Sequence, residues 1–175
     1  MEGYTGSVRA VMREAKRGSL RGIHGALSQL ISVPEQYAVA IETAFGAALQ
    51  NIVTDSEGDA KRAIQFLKET KGGRATFLPL SAVRGRMLEE RGLAQCDGFV
   101  AVASDLVKCD ATYEAVVKAQ VGRTAVAEDM DCAIAIARKF SYRFRIVTLD
   151  GQIINAGGSM TGGSRMQNAA FEPLE

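Results

Sequence analysis

A mixed α+β fold of two similar lobes is what this sequence predicts, and three observations predict it. Short β-branched runs alternate with segments whose apolar residues recur at i, i+3, i+4 and i+7. The order strand, helix, strand, helix, strand occurs twice, the second copy about 76 residues after the first. Four glycines then fall within seven positions, in Asn155-Ala-Gly-Gly-Ser-Met-Thr-Gly-Gly-Ser164, directly after the strand-like run Gln152-Ile153-Ile154.

Taken in order, the chain opens on a basic helix, with Arg9, Arg13, Lys16 and Arg17 near one face by their spacing of three and four. Gly25 to Ile31 reads as a strand. Pro34 stands where a first helical turn tolerates it, and Tyr37, Ile41, Ala44 and Ala48 carry the helix to Gln50. Asn51 to Thr54 is a short strand. Ala60, Ala63, Ile64 and Leu67 form the stripe of a helix that Gly72-Gly73 ends, and Arg74 to Leu80 closes the first set.

The second set starts at Gly98 to Ala103 and Leu106-Val107. A shift of about 76 lays Leu30-Ile31 on Leu106-Val107, Tyr37 on Tyr113, Ile41 on Val117 and Gly46 on Gly122. After a shorter loop, a shift of about 73 sets Val53 on Val126 and puts Ala60, Ala63, Ile64 and Leu67 on Ala133, Ile136, Ala137 and Phe140. Tyr142 to Leu149 is the closing strand and Gln152 to Asn155 adds one more. Residues 81–97, rich in Gly, Arg and Glu, connect the sets.

Composition narrows the function classes. With 175 residues, 47% hydrophobic and 23% charged, the chain is an ordinary packed protein. No apolar run reaches membrane length and no signal peptide opens it, so a cytoplasmic protein without membrane partners is expected. Cys96, Cys109, Cys132 and the lone His24 supply neither a C-x-x-C pair nor a zinc spacing, so no metal and no cofactor are expected. Leu174-Glu175 reads as a cloning remnant. The net charge is only +1, but residues 1–25 carry +3, 61–91 carry +5, 97–131 carry −4 and 138–165 carry +4, so basic faces can form.

The glycine run fits neither a Walker loop, since no lysine follows, nor a dinucleotide fingerprint, which needs G-x-G-x-x-G opening a helix. One histidine makes no Ser/His/Asp set. Asp55, Glu57 and Asp59, like Glu128, Asp129 and Asp131, suit helix starts. No catalytic residue and no small-molecule substrate emerge. Two readings of the run stay open: an anion nest helped by Ser159, Thr161 and Ser164, or an edge where backbone meets backbone across a subunit boundary.

Five stretches together resemble a known family: Gly22-Ile-His-Gly-Ala-Leu27, Tyr37-Ala-Val-Ala-Ile-Glu-Thr-Ala-Phe-Gly-Ala-Ala-Leu-Gln50, Gly73-Arg-Ala-Thr-Phe-Leu-Pro-Leu80, Tyr142-Arg-Phe-Arg-Ile-Val-Thr-Leu-Asp-Gly151 and Asn155-Ala-Gly-Gly-Ser-Met-Thr-Gly-Gly163. In that order they are similar to the hinge domain of bacterial SMC (structural maintenance of chromosomes) proteins, over about residues 3–165. The resemblance implies a hinge fold of two pseudo-symmetric lobes forming a ring-shaped homodimer, with lobe one of each subunit meeting lobe two of the other. It implies an N-terminal helix at the coiled-coil junction (1–20), lobe one (21–80), a connector (81–97), lobe two (98–165) and a tail (166–175). Gly157, Gly158, Met160, Gly162 and Gly163 become the dimer interface. The hinge joins two coiled-coil arms of a chromosome-condensing ATPase whose ATP-binding heads lie elsewhere, so this stretch is no enzyme. Family hinges also bind DNA, single strands in several members, in chromosome segregation at the nucleoid. The DNA-contact candidates are Arg9, Arg13, Lys16 and Arg17, then Arg138, Lys139, Arg143 and Arg145, and Lys61, Arg62, Lys68 and Lys71. The rival expectation is a stand-alone α/β ligand- or anion-binding domain using residues 157–163.

Overall fold

The computed structural model describes residues 3–164 and the backbone of residues 173–174. Thr5 caps α1 (Gly6–Arg17) by accepting the Val8 amide, and Val8 and Val11 turn inward from it. The first set then runs β1 (Ile23–Ala26), a single turn α2 (Leu27–Leu30), β2 (Ile31–Pro34), a 3-10 turn at Glu35–Tyr37, α3 (Ala38–Phe45), a second 3-10 turn at Gly46–Gln50, β3 (Ile52–Thr54), α4 (Glu57–Thr70) and β4 (Phe77–Pro79). The second set repeats it: β5 (Phe99–Val102), a 3-10 turn at Ala103–Leu106, β6 (Lys108–Cys109), a 3-10 turn at Ala111–Tyr113, α5 (Glu114–Val121), β7 (Thr124–Ala127), α6 (Met130–Lys139) and β8 (Arg145–Thr148). The hairpin strands β9 (Ile153–Ile154) and β10 (Met160–Thr161) follow, and β11 (Pro173–Leu174) pairs in parallel with β2.

The strand expected over Gly25 to Ile31 is corrected: it is two strands broken by α2. The side chain of Gln29 folds back to accept the Ala26 amide at 3.0 Å, which turns the chain where apolar content alone suggested continuity. The end of α4 also shifts, since Lys71 rather than a glycine takes the left-handed capping position at φ 54°. The closing strand starts at Arg145, because Ser141 and Tyr142 have φ of 57° and 56° and bend the chain. Leu174, set aside as a remnant, lies in the backbone ladder of β11.

The repeat is visible in the hydrogen-bond ladders. In the first sheet β1 pairs antiparallel with β3 and β3 parallel with β4; in the second, β5 pairs antiparallel with β7 and β7 parallel with β8. A register shift interrupts β1 between Ile23 and Gly25 and β5 between Phe99 and Ala101, at equivalent places. The Asp55 amide donates to the Gly22 carbonyl at 2.9 Å, and the Glu128 amide to the Gly98 carbonyl at 2.8 Å. Both glycines are required by close approach: a Cβ on Gly22 would stand 2.2 Å from the Asp59 carboxylate and one on Gly98 2.3 Å from the Cys132 sulfur.

Successive strand residues point to opposite faces, and the central strands β3 and β7 are buried on both. Ile52 faces α1 and α4 in a core with Val8, Val11, Leu20, Ala63 and Leu67. Its neighbour Val53 faces a central core shared by the two halves, where Leu27, Ile41 and Phe45 meet Val116, Val117 and Val121. Ala125, Ala127 and Ile146 face α6, while Val126 and Val147 face the shared core. From the connector, Leu88 and Leu93 bury themselves beside α6. β2 and β6 join the halves antiparallel, with Ser32 opposite Lys108. Those two positions are equivalent under the shift of about 76, so the pseudo-twofold axis passes between them.

Two of the expected helix-start acids act as capping groups. Asp129 accepts the Cys132 amide at 2.8 Å, and Ser56 and Asp59 form a capping box at α4. The Ser56 hydroxyl and then Arg62 hold the Asp59 carboxyl below the usual carboxylate range. Ser56→Ala is expected to cost about 1 kcal/mol in urea titrations at neutral pH. A depressed folded-state value means stabilisation present above the unfolded carboxyl value, about 3.9, and lost as pH falls through the lower folded one. Asp59→Asn should therefore differ most from the parent near neutral pH, with the gap narrowing in acid.

Candidate dimerisation edge and basic faces

The glycine run builds a hairpin. β9 and β10 extend the second sheet in the order β10-β9-β8-β7-β5, so among the described residues β10 and β5 are its open edges. Gly157 and Gly158 sit at the turn with φ of 90° and 109°, and Gly163 has φ 126°, conformations that side-chain-bearing residues avoid. The Gly157 amide donates to the Tyr142 carbonyl at 2.8 Å and the Gly158 amide to the Asn155 carbonyl at 2.9 Å. The Gln152 amide side chain grips the backbone of Gly163 on both sides, accepting its N–H at 2.8 Å and donating to its carbonyl at 3.2 Å. A Cβ on Gly162 would stand 2.0 Å from the Gln152 Oε1. The glycines thus have reasons within the chain, which the sequence argument for backbone approach between subunits did not include.

The ladder determines what the edge offers. Asn155 donates its amide to the Ser159 carbonyl at 2.7 Å, and Met160 stands opposite Ile154. Antiparallel alternation then turns the Thr161 amide inward to β9 and the Met160 amide outward. Met160 is 54% exposed. Among the described residues the first sheet ends on β1 and on β4, and β4, pseudo-equivalent to β8, has no strand in the place of β9.

Arg9, Arg13, Lys16 and Arg17 are all exposed, on the face of α1 opposite Val8 and Val11. Arg9 donates to the Tyr4 carbonyl at 2.6 Å, and Arg17 pairs with Glu14 at 2.8 Å. The Ser19 hydroxyl, then Arg17 and Arg13, hold the Glu14 carboxyl below its usual range. On α4, Arg62 pairs with Asp59 at 2.6 Å, while Lys61, Lys68 and Lys71 are exposed. The third cluster is divided. Arg143 pairs with Glu90 at 2.8 Å, and half-buried Arg145 donates to the carbonyls of Ala44 and Thr43 at 2.8 and 3.2 Å, across the seam at the end of α3. Burial lowers its pKa, and it is a strut rather than a surface cation.

Sequence reasoning missed two contacts. His24 bridges Asp55 and Tyr113, at 2.5 and 2.8 Å, a role for Asp55 beyond that of a helix-start acid. Tyr4 hydrogen-bonds the buried Ser28, fixing the entry to α1, whereas Ser104, at the equivalent place, has no partner among the described residues. Both contacts pair residues far apart in sequence, which periodicity does not register.

Cys96, Cys109 and Cys132 are free and half-buried. Burial pushes the Cys109 thiol up, and Asp129 does so for Cys132. Among the described residues no three His, Cys, Asp or Glu side chains gather as metal ligands, and no helix is long and apolar enough to cross a membrane. A groove of about 540 Å³ lies where the connector crosses α5, with Arg86, Lys118 and Arg123 beside Glu89 and Glu90; no hairpin glycine lines it.

Two α/β halves joined around one core are the architecture in hand, and known proteins share the fold. Residues 20–137 match the family described as SMC proteins Flexible Hinge Domain. The chromosome partition protein Smc of Bacillus subtilis (strain 168) is 44% identical over 165 residues, 93% of this chain and 14% of that protein. Its Methanocaldococcus jannaschii counterpart is 40% identical over 166 residues, 95% of this chain and 14% of that protein. An asymmetric dimer of the Geobacillus stearothermophilus SMC hinge domain superposes with TM-score 0.89 at 44% identity, covering 95% of this chain and 68% of that one. The Pyrococcus furiosus SMC hinge domain gives TM-score 0.74 at 31% identity, covering 96% and 94%. The chain belongs to the SMC hinge-domain family, and it spans about one-seventh of the length of the Smc relatives it matches.

Proposed function

We propose that this chain is the dimerisation hinge of a chromosome-organising SMC ATPase, with residues 21–80 and 98–165 as its two lobes, 81–97 as their connector and α1 at the coiled-coil junction. The observation that carries the proposal is the pair of open edges on pseudo-equivalent sheets. β10 presents the outward Met160 amide, and among the described residues β4 lacks the strand that covers its counterpart β8. The β10 edge of one protomer, with Gly157, Gly158, Met160, Gly162 and Gly163, docks on lobe one of the other, each strand gaining main-chain hydrogen bonds of about 0.5–1.5 kcal/mol net. The rival reading, an anion nest, has less support, because Gln152 already occupies both sides of Gly163.

A DNA role rests on the exposed face of α1. Because Val8 and Val11 hold the opposite face in the core of the first half, charge reversal on this face leaves packing intact. Replacing Arg9, Arg13, Lys16 and Arg17 with glutamate is expected to abolish single-strand binding at low salt while the oligomeric mass stays unchanged. The unaltered protein should bind weakly, each phosphate contact contributing about 0.7–0.9 to the log–log salt slope. Undiminished affinity in the variant assigns the contact to the exposed lysines of α4 or to Arg138 and Lys139. No binding by the parent removes DNA from the function of this domain.

A further inference from the structure

The two halves meet around the β2–β6 pair, and the flanks of that seam are equivalent by the internal repeat but not alike chemically. On one flank, His24 at the β1 register shift reaches from the first half to the second. Its Nδ1 lies 2.8 Å from the Tyr113 hydroxyl, its Nε2 lies 2.5 Å from the Asp55 carboxylate, and the two rings meet edge to face at 5.4 Å. On the other flank the equivalent positions are Val100 for His24, Tyr37 for Tyr113 and Glu128 for Asp55. Tyr37 packs against the shared core as Tyr113 does, but apolar Val100, packed there too, stands in place of the imidazole, and Glu128 is exposed. Matched backbone bonds, from Asp55 to Gly22 and from Glu128 to Gly98, anchor both loops in the same way, while the side chains at the equivalent positions differ.

We infer that Asp55, His24 and Tyr113 form a one-sided latch, so that the seam between the halves opens first along this flank while the Val100–Tyr37 flank and the β2–β6 pair stay closed. Water competes for a half-exposed chain of hydrogen bonds but not for apolar contacts, which confines the low-energy opening to the polar side. The Tyr113 hydroxyl can donate or accept, so the chain closes with the imidazole neutral or protonated. Burial, then the charges of Asp110 and Asp55, push the Tyr113 phenol up, which keeps its proton available to the latch.

Native-state hydrogen exchange on the intact protein tests this, with Tyr113→Phe removing one hydroxyl and keeping the ring. Losing a hydrogen bond of this kind should speed exchange roughly two- to ten-fold in segments 22–26 and 111–114. Segments 98–102 and 35–38 and the strands β7 and β8 should be unchanged, and Tyr37→Phe should change nothing at either flank. Asp55→Ala should reproduce the Tyr113→Phe pattern. No acceleration in Tyr113→Phe, or acceleration shared by both flanks or spread over β7 and β8, would overturn the latch.

Discussion

Met160→Pro is expected to turn a dimer into a folded monomer. The Met160 amide faces away from β9, so proline there removes a donor from the open edge and none from the hairpin's own ladder. In a two-fold dimer the loss occurs twice, and the pyrrolidine ring also stands where the partner strand would lie. Together these should raise the dissociation constant at least about tenfold, since the hydrogen bonds alone are each worth about 0.5–1.5 kcal/mol. Urea stability of the monomeric fold should remain close to the parent's. Replacing the glycines is a less selective experiment, because Gly157, Gly158 and Gly163 have left-handed backbones and Gly162 lies under Gln152, so bulk there strains the hairpin itself. An unchanged dissociation constant in Met160→Pro would take the interface away from β10.

Ile41→Ala is expected to have the largest effect on stability. Ile41 is fully buried in the core that both halves share, with Val116, Val117 and Val121 among its members. Deleting that volume should cost roughly 2–5 kcal/mol, with the site collapsing only in part. Because the core belongs to both halves, the chain should still unfold in one cooperative step at a lower urea midpoint, compared at equal protein concentration. Two transitions, only one of them shifted, would mean that the halves fold separately.

The repeat was legible because apolar spacing survives divergence: Tyr37 and Tyr113 end matching 3-10 turns, and Ile41 and Val117 occupy matching turns of α3 and α5. The family was legible for the same reason, from five separated stretches in order. Less legible were the places where side chains act on backbone. Gln29 breaks an apolar run into β1, α2 and β2, and Gln152 fills the space beside Gly162. Charge counts by segment showed where cations lie in sequence but not their partners, so Arg145 was grouped with surface cations although it binds α3. The latch at His24 was hidden for a further reason, since its partner Tyr113 is 89 residues away and an internal alignment pairs it with Tyr37 instead.

Sedimentation equilibrium of the unaltered chain at micromolar concentration tests the hinge proposal most directly. The account predicts a mass twice the 18.7 kDa of one chain, shifting toward 18.7 kDa only on dilution. A mass of 18.7 kDa throughout the micromolar range would contradict it.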